Sequence, residues 1–226
     1  MGSTATAAPE RTDGKTDVTV VEAHFVASAP AIVSLPAATH DEVAFIGRSN
    51  VGKSSLLNAL MARRDLVRTS RTPGQTRTVN LFGVLLQLRR RRRELTLVDL
   101  PGYGFAKMSH GEKARVSRLL SDYVSRRDAL RCIVQLFDLR HDPTAQDKET
   151  FRDLQSLRTR TIVVATKADQ VPLAKRKARA TKIAAALAID PTTVVLFSAE
   201  TKLGRAALWN RILPALTEDD GSPSAT

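Results

Sequence analysis

Cysteine is nearly absent from this chain: Cys132 stands alone among 226 residues. That excludes an internal disulfide framework and suits a reducing compartment. Its apolar neighbours mark it as a small core residue rather than a nucleophile. Aromatics are also sparse, at 4%, so the core must be built from Leu, Val, Ile and Ala. No run of about 18 apolar residues exists, which excludes a membrane-spanning helix. The polar first residues lack the apolar stretch of a secretory signal. His24, His40, His110 and His141 are scattered and show no ligand spacing with Cys132, so no transition-metal site is expected. Acidic residues are in deficit: 23 Asp and Glu against 35 Lys and Arg leave a net charge of +12. That balance either aids solubility or favours an acidic partner, most simply nucleic acid or a ribonucleoprotein. The length fits one domain with tails, or two small ones, with ample core.

What is present is organised around one stretch. Gly47, Arg48, Ser49, Asn50, Val51, Gly52, Lys53 and Ser54 fit the pattern G-x-x-x-x-G-K-[ST]. Val43, Ala44, Phe45 and Ile46 precede it as a short buried strand, and residues 55–61 follow as a helix. That strand–loop–helix context separates a phosphate-binding loop from a Gly-containing turn with a surface lysine. Gly47 and Gly52 let the backbone turn tightly, so that N–H groups point inward as an anion nest. The helix N-terminus adds partial positive charge. Lys53 can reach the β- and γ-phosphates, and the Ser54 hydroxyl can hold Mg²⁺.

Residues 1–17 and 217–226 lack periodicity and read as a disordered arm and a disordered acidic tail. Residues 18–21 read as a strand or an ordered lead-in. Residues 25–35, broken by Pro30, read as an irregular segment packed along a compact domain that begins near Asp41. After the first helix, 63–78 is a long basic loop. Strands at 79–88 and 95–98 form an antiparallel hairpin, with Arg89, Arg90, Arg91, Arg92 and Arg93 solvated at its tip. A Ser109/Glu112 capping box opens a helix to Arg126. A strand at 132–137 leads to a helix opened by Asp142 as N-cap with Pro143 behind it. Strand 161–165, a basic helix at 172–187, strand 193–197 and a helix at 206–216 complete the chain. This order predicts an α/β P-loop NTPase fold: a mostly parallel six-stranded sheet with one antiparallel strand and helices on both faces. Its ligand crevice lies at the carboxyl ends of the strands.

Asp99, Leu100, Pro101 and Gly102 fit D-x-x-G just after a strand. A carboxylate there can hold Mg²⁺ through its water shell, and Gly102 can offer its N–H to a γ-phosphate. Thr72, Thr76 and Thr78 are rival second hydroxyls for Mg²⁺ that spacing does not separate. Thr166, Lys167, Ala168 and Asp169 follow the next-to-last strand. A carboxylate at Asp169 can accept from guanine N1–H and its exocyclic amine, a donor pair adenine lacks, while the Lys167 stem covers the base. Phe197, Ser198 and Ala199 end the last strand, where the Ala199 N–H can meet the guanine carbonyl. Either motif alone fits a surface loop. In this order, each after a strand, they point to guanine.

Here the chain resembles the translation-factor-class small GTPases, and within them the EngB/YihA/YsxC ribosome-biogenesis GTPases of the TrmE-Era-EngA-EngB-Septin-like group. The resemblance spans 18–216. It is carried by G-R-S-N-V-G-K-S-S-L-L-N from Gly47, T-P-G-Q-T from Thr72, D-L-P-G-Y-G-F-A from Asp99, D-L-R-H from Asp138, T-K-A-D from Thr166 and F-S-A-E-T from Phe197. The resemblance implies GTP binding by residues 47–54, by Gly74, Gln75, Thr76, Arg77 and Thr78, by residues 99–102 and 166–169, and by Phe197, Ser198 and Ala199. It implies Mg²⁺ on Ser54 and Thr76, with Lys53, Thr76 and Gly102 at the reacting phosphate. It also implies a cytoplasmic monomer, a large-ribosomal-subunit precursor and its rRNA as partner, and an association with cell division and septation. Gln75, Arg77 and the pair Ser198-Ala199 depart from the residues usual in the family.

Tyr103 follows D-x-x-G where Ras-like enzymes carry a water-orienting Gln, so slow intrinsic hydrolysis with stimulation by a partner or ion is expected. Asn50 either helps to bind K⁺ at the phosphates or hydrogen-bonds within its loop. A γ-phosphate would order 64–78 and 102–109, and hydrolysis would release them. Arg89 to Arg93 and the helix residues Lys175, Arg176, Lys177, Arg179 and Lys182 are candidate RNA-phosphate contacts or, in the plainer reading, solvated faces. An ATP-dependent kinase and a non-hydrolysing GTP sensor are the competing classes. Asp169 speaks against the first and Tyr103 leaves room for the second.

Overall fold

Strand 43–46 is apolar at every position, and a strand of that kind must be covered on both faces. In the structure, a computed structural model that describes residues 18–67, 78–103, 110–157 and 160–217, this stretch lies in the middle of a sheet. In chain order the elements are β1 (Val18–Ala29), β2 (Glu42–Gly47), α1 (Lys53–Leu60), β3 (Val79–Leu88), β4 (Arg91–Asp99), α2 (His110–Arg126), β5 (Leu130–Asp138), α3 (Ala145–Ser156), β6 (Thr161–Thr166), α4 (Leu173–Leu187), β7 (Val195–Leu196) and α5 (Arg205–Thr217). The strand order is β1-β3-β4-β2-β5-β6-β7. Only β3 runs against the others: it pairs antiparallel with β1 and β4, and the remaining pairings are parallel.

Two layers of helix cover the sheet. Val43 and Phe45 of β2 join Leu56, Leu57 and Leu60 of α1 and Leu208, Trp209 and Ile212 of α5 in one core. Ala44 and Ile46 face the opposite side, with Leu119 and Tyr123 of α2 and Leu154 of α3. Farther along that face, Phe151 of α3 and Ile183, Ala184 and Leu187 of α4 pack on Val163 and Ala165 of β6. Cys132 is fully buried in the first core, and burial pushes its thiol up to about 12.

The sheet has seven strands, one more than the sequence predicts. Residues 18–29 form one edge strand: the strand alternative holds for 18–21, and the strand runs on through 25–29 in place of an irregular segment, so the sheet includes residues well before Asp41. Two register shifts, at Val20/Glu22 and at Phe25/Ala27, break the alternation by which a half-buried strand is recognised. Such bulges also blunt a sheet edge. The arginine run is the second correction. Only Arg89 and Arg90 form the turn. Arg91, Arg92 and Arg93 are strand residues opposite Leu88, Gln87 and Leu86. Arg93 is tied down: its guanidinium binds Asp41 at 2.8 Å and the Leu216 carbonyl at the end of α5. At α3 the cap is Thr144 rather than Asp142, with reciprocal bonds between Thr144 and Asp147. Residues 191–193 are a 3₁₀ turn, which shortens β7 to two residues.

The expectations for residues 1–17, 218–226, Thr72, Gly74, Gln75, Thr76, Arg77 and Ser109 lie outside the described residues. After α1 the chain is held at Val67: the Asn58 amide exchanges two 2.8 Å bonds with the backbone of this buried residue. At the opposite end of the sheet, Glu42 is 1% exposed and takes the Arg127 guanidinium at 2.8–3.1 Å together with the Tyr123 hydroxyl. A buried carboxylate needs such partners, and these pin the C-terminal end of α2 to the root of β2.

Candidate functional site

The phosphate-loop stretch turns out of β2 and into α1 as its residue types require. Gly52 has φ +100°, a left-handed conformation that a side chain would strain. A Cβ on Gly47 would lie 2.8 Å from Val51 Cγ1 and 3.1 Å from the Leu136 carbonyl oxygen, so no side chain fits there. Asn50 also lies in the left-handed region, at φ 65°, and is exposed. The Val51 side chain is buried, so that residue can offer a ligand only its backbone. Arg48, Ser49 and Asn50 line one wall of a cavity of about 390 Å³, whose other wall is the end of β5 with Asp138 and the segment after it with Arg140 and His141.

Lys53 opens α1 and donates to Asp99 Oδ1 at the end of β4. The two side chains are 9% and 2% exposed. Ser54 follows on the first turn, half-buried. A serine hydroxyl and a strand-end carboxylate are hard oxygen donors, the set that Mg²⁺ takes, so the described residues fit that ion. Leu100 and Pro101 are buried and contribute backbone only; the Leu100 N–H donates to the Phe45 carbonyl at 3.1 Å. Thr78 is held through Ser28 at 3.0 Å and Asn80 at 3.3 Å, and Asn80 reaches Asp99 Oδ2 at 3.5 Å.

Two loops meet beside the phosphate loop. The Thr166 hydroxyl lies 2.6 Å from the Val51 carbonyl and 3.0 Å from that of Phe137. The Lys167 ammonium donates to the Asn50 carbonyl at 2.6 Å and to Asp138 at 2.9 Å. The Ala168 N–H donates to the Phe197 carbonyl at 3.1 Å, which joins the 166–169 turn to the end of the last strand. The Phe197 side chain is core, Ser198 is fully buried, and Ala199 is half-exposed. Asp169 accepts from the Ser198 hydroxyl at 2.6 Å, and that oxygen accepts from the Thr201 N–H at 3.1 Å. The structure therefore brings together the described residues of all four motifs.

Asp138, the first residue of the D-L-R-H stretch, joins this group, although no role was assigned to it from the sequence. It accepts from Arg140 at 2.7 and 2.9 Å and from Lys167. Burial acts to raise its pKa, but the Arg140 and Lys167 hydrogen bonds outweigh burial and hold the carboxyl well below its ordinary value. A carboxyl with a depressed folded-state pKa stabilises above its unfolded value, about 4, and loses that contribution as pH falls toward the folded value. Asp138→Asn is therefore expected to lower stability at pH 7 by about 1–2 kcal/mol and to flatten the acid limb below about pH 4. Urea unfolding from pH 2 to 7 checks both.

Tyr103 points away from the phosphate loop and into the core. It is 4% exposed; its hydroxyl donates to Asp147 Oδ1 at 2.9 Å and accepts from the Gln135 amide at 3.1 Å. Burial and the Asp147 charge both raise its pKa, so it stays a donor. Gln135 and Asp147 escaped the motif reading. A lone amide inside the apolar strand 132–137 was the only sequence signal for the first, and the T-x-x-D spacing from Thr144 the only one for the second.

The basic helix is less available than its sequence implies. Arg176 donates to the Val171 carbonyl at 2.9 Å, and Arg179 to the Leu139 carbonyl and Asp142, both at 3.0 Å. Lys175, Lys177 and Lys182 remain exposed. Among the described residues no helix is long and apolar enough to cross a membrane.

Comparison with known proteins agrees with this geometry. A family model described as "50S ribosome-binding GTPase" matches residues 42–167. The chain is 41% identical over 196 residues to the "Probable GTP-binding protein EngB" of Myxococcus xanthus, covering 87% of this chain and 95% of that one. It is 40% identical over 194 residues to the protein of the same description from Bacillus subtilis, covering 85% and 96%. A crystal structure of a probable EngB superposes with a TM-score of 0.60 at 22% identity, over 78% of this chain and 99% of that chain, and so agrees in fold. A structure of Era in complex with MgGDPNP and nucleotides 1506–1542 of 16S ribosomal RNA superposes at 0.65 with 25% identity, over 82% of this chain and 59% of that chain. With about 40% identity over most of both chains and a matching family model over residues 42–167, the chain belongs to the EngB family of GTP-binding proteins.

Proposed function

We propose that the crevice binds GTP and GDP, hydrolyses GTP slowly, and makes the protein a nucleotide switch in assembly of the large ribosomal subunit. The observation that carries the nucleotide part is the placement of Asp169, oriented by the buried Ser198 hydroxyl, beside Lys167, whose ammonium is fixed on the phosphate loop. Residues 47–54 cradle the phosphates, Gly102 offers its N–H to the γ-phosphate, and Asp169 with Ala199 reads guanine. Ser54 and Thr76 would hold Mg²⁺, with Asp99 as a further oxygen donor toward it. When bound, Mg²⁺ supplies neutralisation of charge at the β- and γ-phosphates. Lys53 adds the ammonium, Thr76 and Gly102 would complete the γ-phosphate contacts, and Gln75, Arg77 and Thr78 are assigned to nucleotide binding by the family resemblance. The buried Tyr103 supports slow turnover, because no described side chain after the D-x-x-G motif faces the phosphates to orient a water. Asn50 is the residue through which K⁺ would act.

The test is titration of the purified protein with fluorescent GTP, GDP and ATP analogues, followed by multiple-turnover phosphate release in KCl and in NaCl at matched ionic strength. Guanine-selective binding with slow release supports the proposal, and faster release in KCl supports K⁺ at Asn50. Binding without release would make the protein a GTP sensor instead of an enzyme, and equal binding of ATP would reopen the kinase reading.

The description of the matching family model, the RNA-bound Era structure and the basic surface support a ribosomal partner. A cytoplasmic, monomeric state and a role in cell division and septation rest on the family resemblance. Of the arginine run, the exposed Arg89, Arg90, Arg91 and Arg92 are the phosphate contacts, while Arg93 is half-buried and binds Asp41 and the Leu216 carbonyl. Changing those four to Ser is expected to weaken binding to large-subunit particles about tenfold or more and to reduce its salt dependence, with GTP affinity unchanged. Sedimentation at several salt concentrations measures this, and unaltered co-sedimentation overturns it.

A further inference from the structure

We infer that the Tyr103 hydroxyl is a positioning group for γ-phosphate recognition: bound to Asp147 on the first turn of α3, it holds the D-x-x-G loop on the phosphate loop and sets the preference for GTP over GDP. The inference rests on the guanine-nucleotide reading above and adds a determinant to it.

Residue 103 is held at its backbone and at its side chain. Its N–H donates to the Gly47 carbonyl at 3.2 Å, and its carbonyl accepts from the Ser49 N–H at 3.0 Å. Its hydroxyl donates to Asp147 Oδ1 at 2.9 Å. The other Asp147 oxygen takes the Thr144 N–H at 2.8 Å and the Thr144 hydroxyl at 2.7 Å. The carboxylate therefore cannot swing away without uncapping α3. Gln135, fully buried, binds both the Tyr103 oxygen and the Asp147 carbonyl at 3.1 Å. The loop is thus anchored to the sheet and to a helix at once.

Gly102 lies one residue before this anchor. A Cβ there would sit 3.2 Å from the Gly47 carbonyl oxygen and 3.4 Å from the Ser49 nitrogen, so the backbone rests directly on the phosphate loop. The Gly102 N–H serves the γ-phosphate, and GDP has nothing there to engage it. A tether that fixes Gly102 acts on GTP binding and leaves GDP binding alone.

Phenylalanine fills the same space without the tether. Tyr103→Phe is expected to lower affinity for a non-hydrolysable GTP analogue about tenfold and that for GDP less than twofold. Asp147→Asn keeps a carbonyl for the α3 cap but turns an amide toward the phenol, and should show the same selective loss. In the double variant the GTP-to-GDP affinity ratio should fall no further than in either single variant. Stopped-flow binding with fluorescent analogues reads these ratios, and melting temperatures check that each variant is folded. Equal losses for both nucleotides, no loss, or additive losses overturn the tether. Failure of the wild-type protein to prefer guanine nucleotides would instead remove the reading beneath it.

Discussion

Asp169→Asn is expected to lower affinity for GTP and GDP by about 10³-fold or more and to transfer preference to xanthine nucleotides. Guanine presents two donors to this position, N1–H and the exocyclic amine, and only a carboxylate accepts both. The Ser198 hydroxyl, itself fixed by the Thr201 N–H, donates to one Asp169 oxygen and orients the group. In the variant that hydroxyl still donates to the amide carbonyl, which leaves the amide NH₂ facing the base. Donor then meets donor, and a site built for a polar partner rejects a mismatched one by about 10⁴-fold. Xanthine carries a carbonyl where guanine carries the amine, so the same NH₂ finds an acceptor. Titration of both proteins with GDP and xanthosine diphosphate decides the matter. A uniform loss for both bases would mean that Asp169 shapes the loop without reading the base.

Lys53→Ala is expected to act in two states of the molecule at once. In the structure the ammonium is bound by Asp99, and both groups are buried. Removing one partner leaves a carboxylate without its counter-charge, a change that costs about 3–5 kcal/mol in buried pairs. For a protein of this size that is a fall in melting temperature of about 10 °C. On the proposed function the same ammonium serves the β- and γ-phosphates of bound nucleotide. A charge-assisted bond there contributes about 1.5–3 kcal/mol, so affinity for GTP should drop roughly 100-fold. Lys53→Ala/Asp99→Ala separates the two effects, because removing both charges restores much of the melting temperature and none of the affinity. A single variant that melts like wild type would show that the Lys53–Asp99 pair adds nothing to the free protein's stability.

The motif residues were legible because each job is done by a short contiguous piece of backbone. A left-handed Gly52, a Cβ-free Gly47 and a lysine on the first turn of α1 specify one another within eight positions. Asp99, Thr166 to Asp169 and Ser198 each follow a strand, and in a parallel sheet strand ends converge on one edge. The partnerships among these pieces were not legible. Lys167 meets the Asn50 carbonyl across 117 residues of sequence, and Tyr103 meets Asp147 across 44. No periodicity or spacing records such pairs. The Tyr103 ring could equally have faced the phosphates, and only the packing of α2 and α3 over β2 and β5 turned it inward.

The edge strand and the arginine run show the same division. Apolar content at 18–29 marked a packed segment, but bulges erased the period that would have named it a strand. Five successive arginines looked alike, and the fold gave one of them to Asp41 and the end of α5. What the sequence by itself determined is the fold class, the loop between β2 and α1 and the strand-end positions of Asp99, Asp169 and Ser198, because local backbone chemistry specifies them. Only the tertiary structure decided which charges are spent inside the molecule and how the D-x-x-G loop is tethered. Those depend on contacts between elements distant in the chain, which form only when the sheet and its two helical layers close.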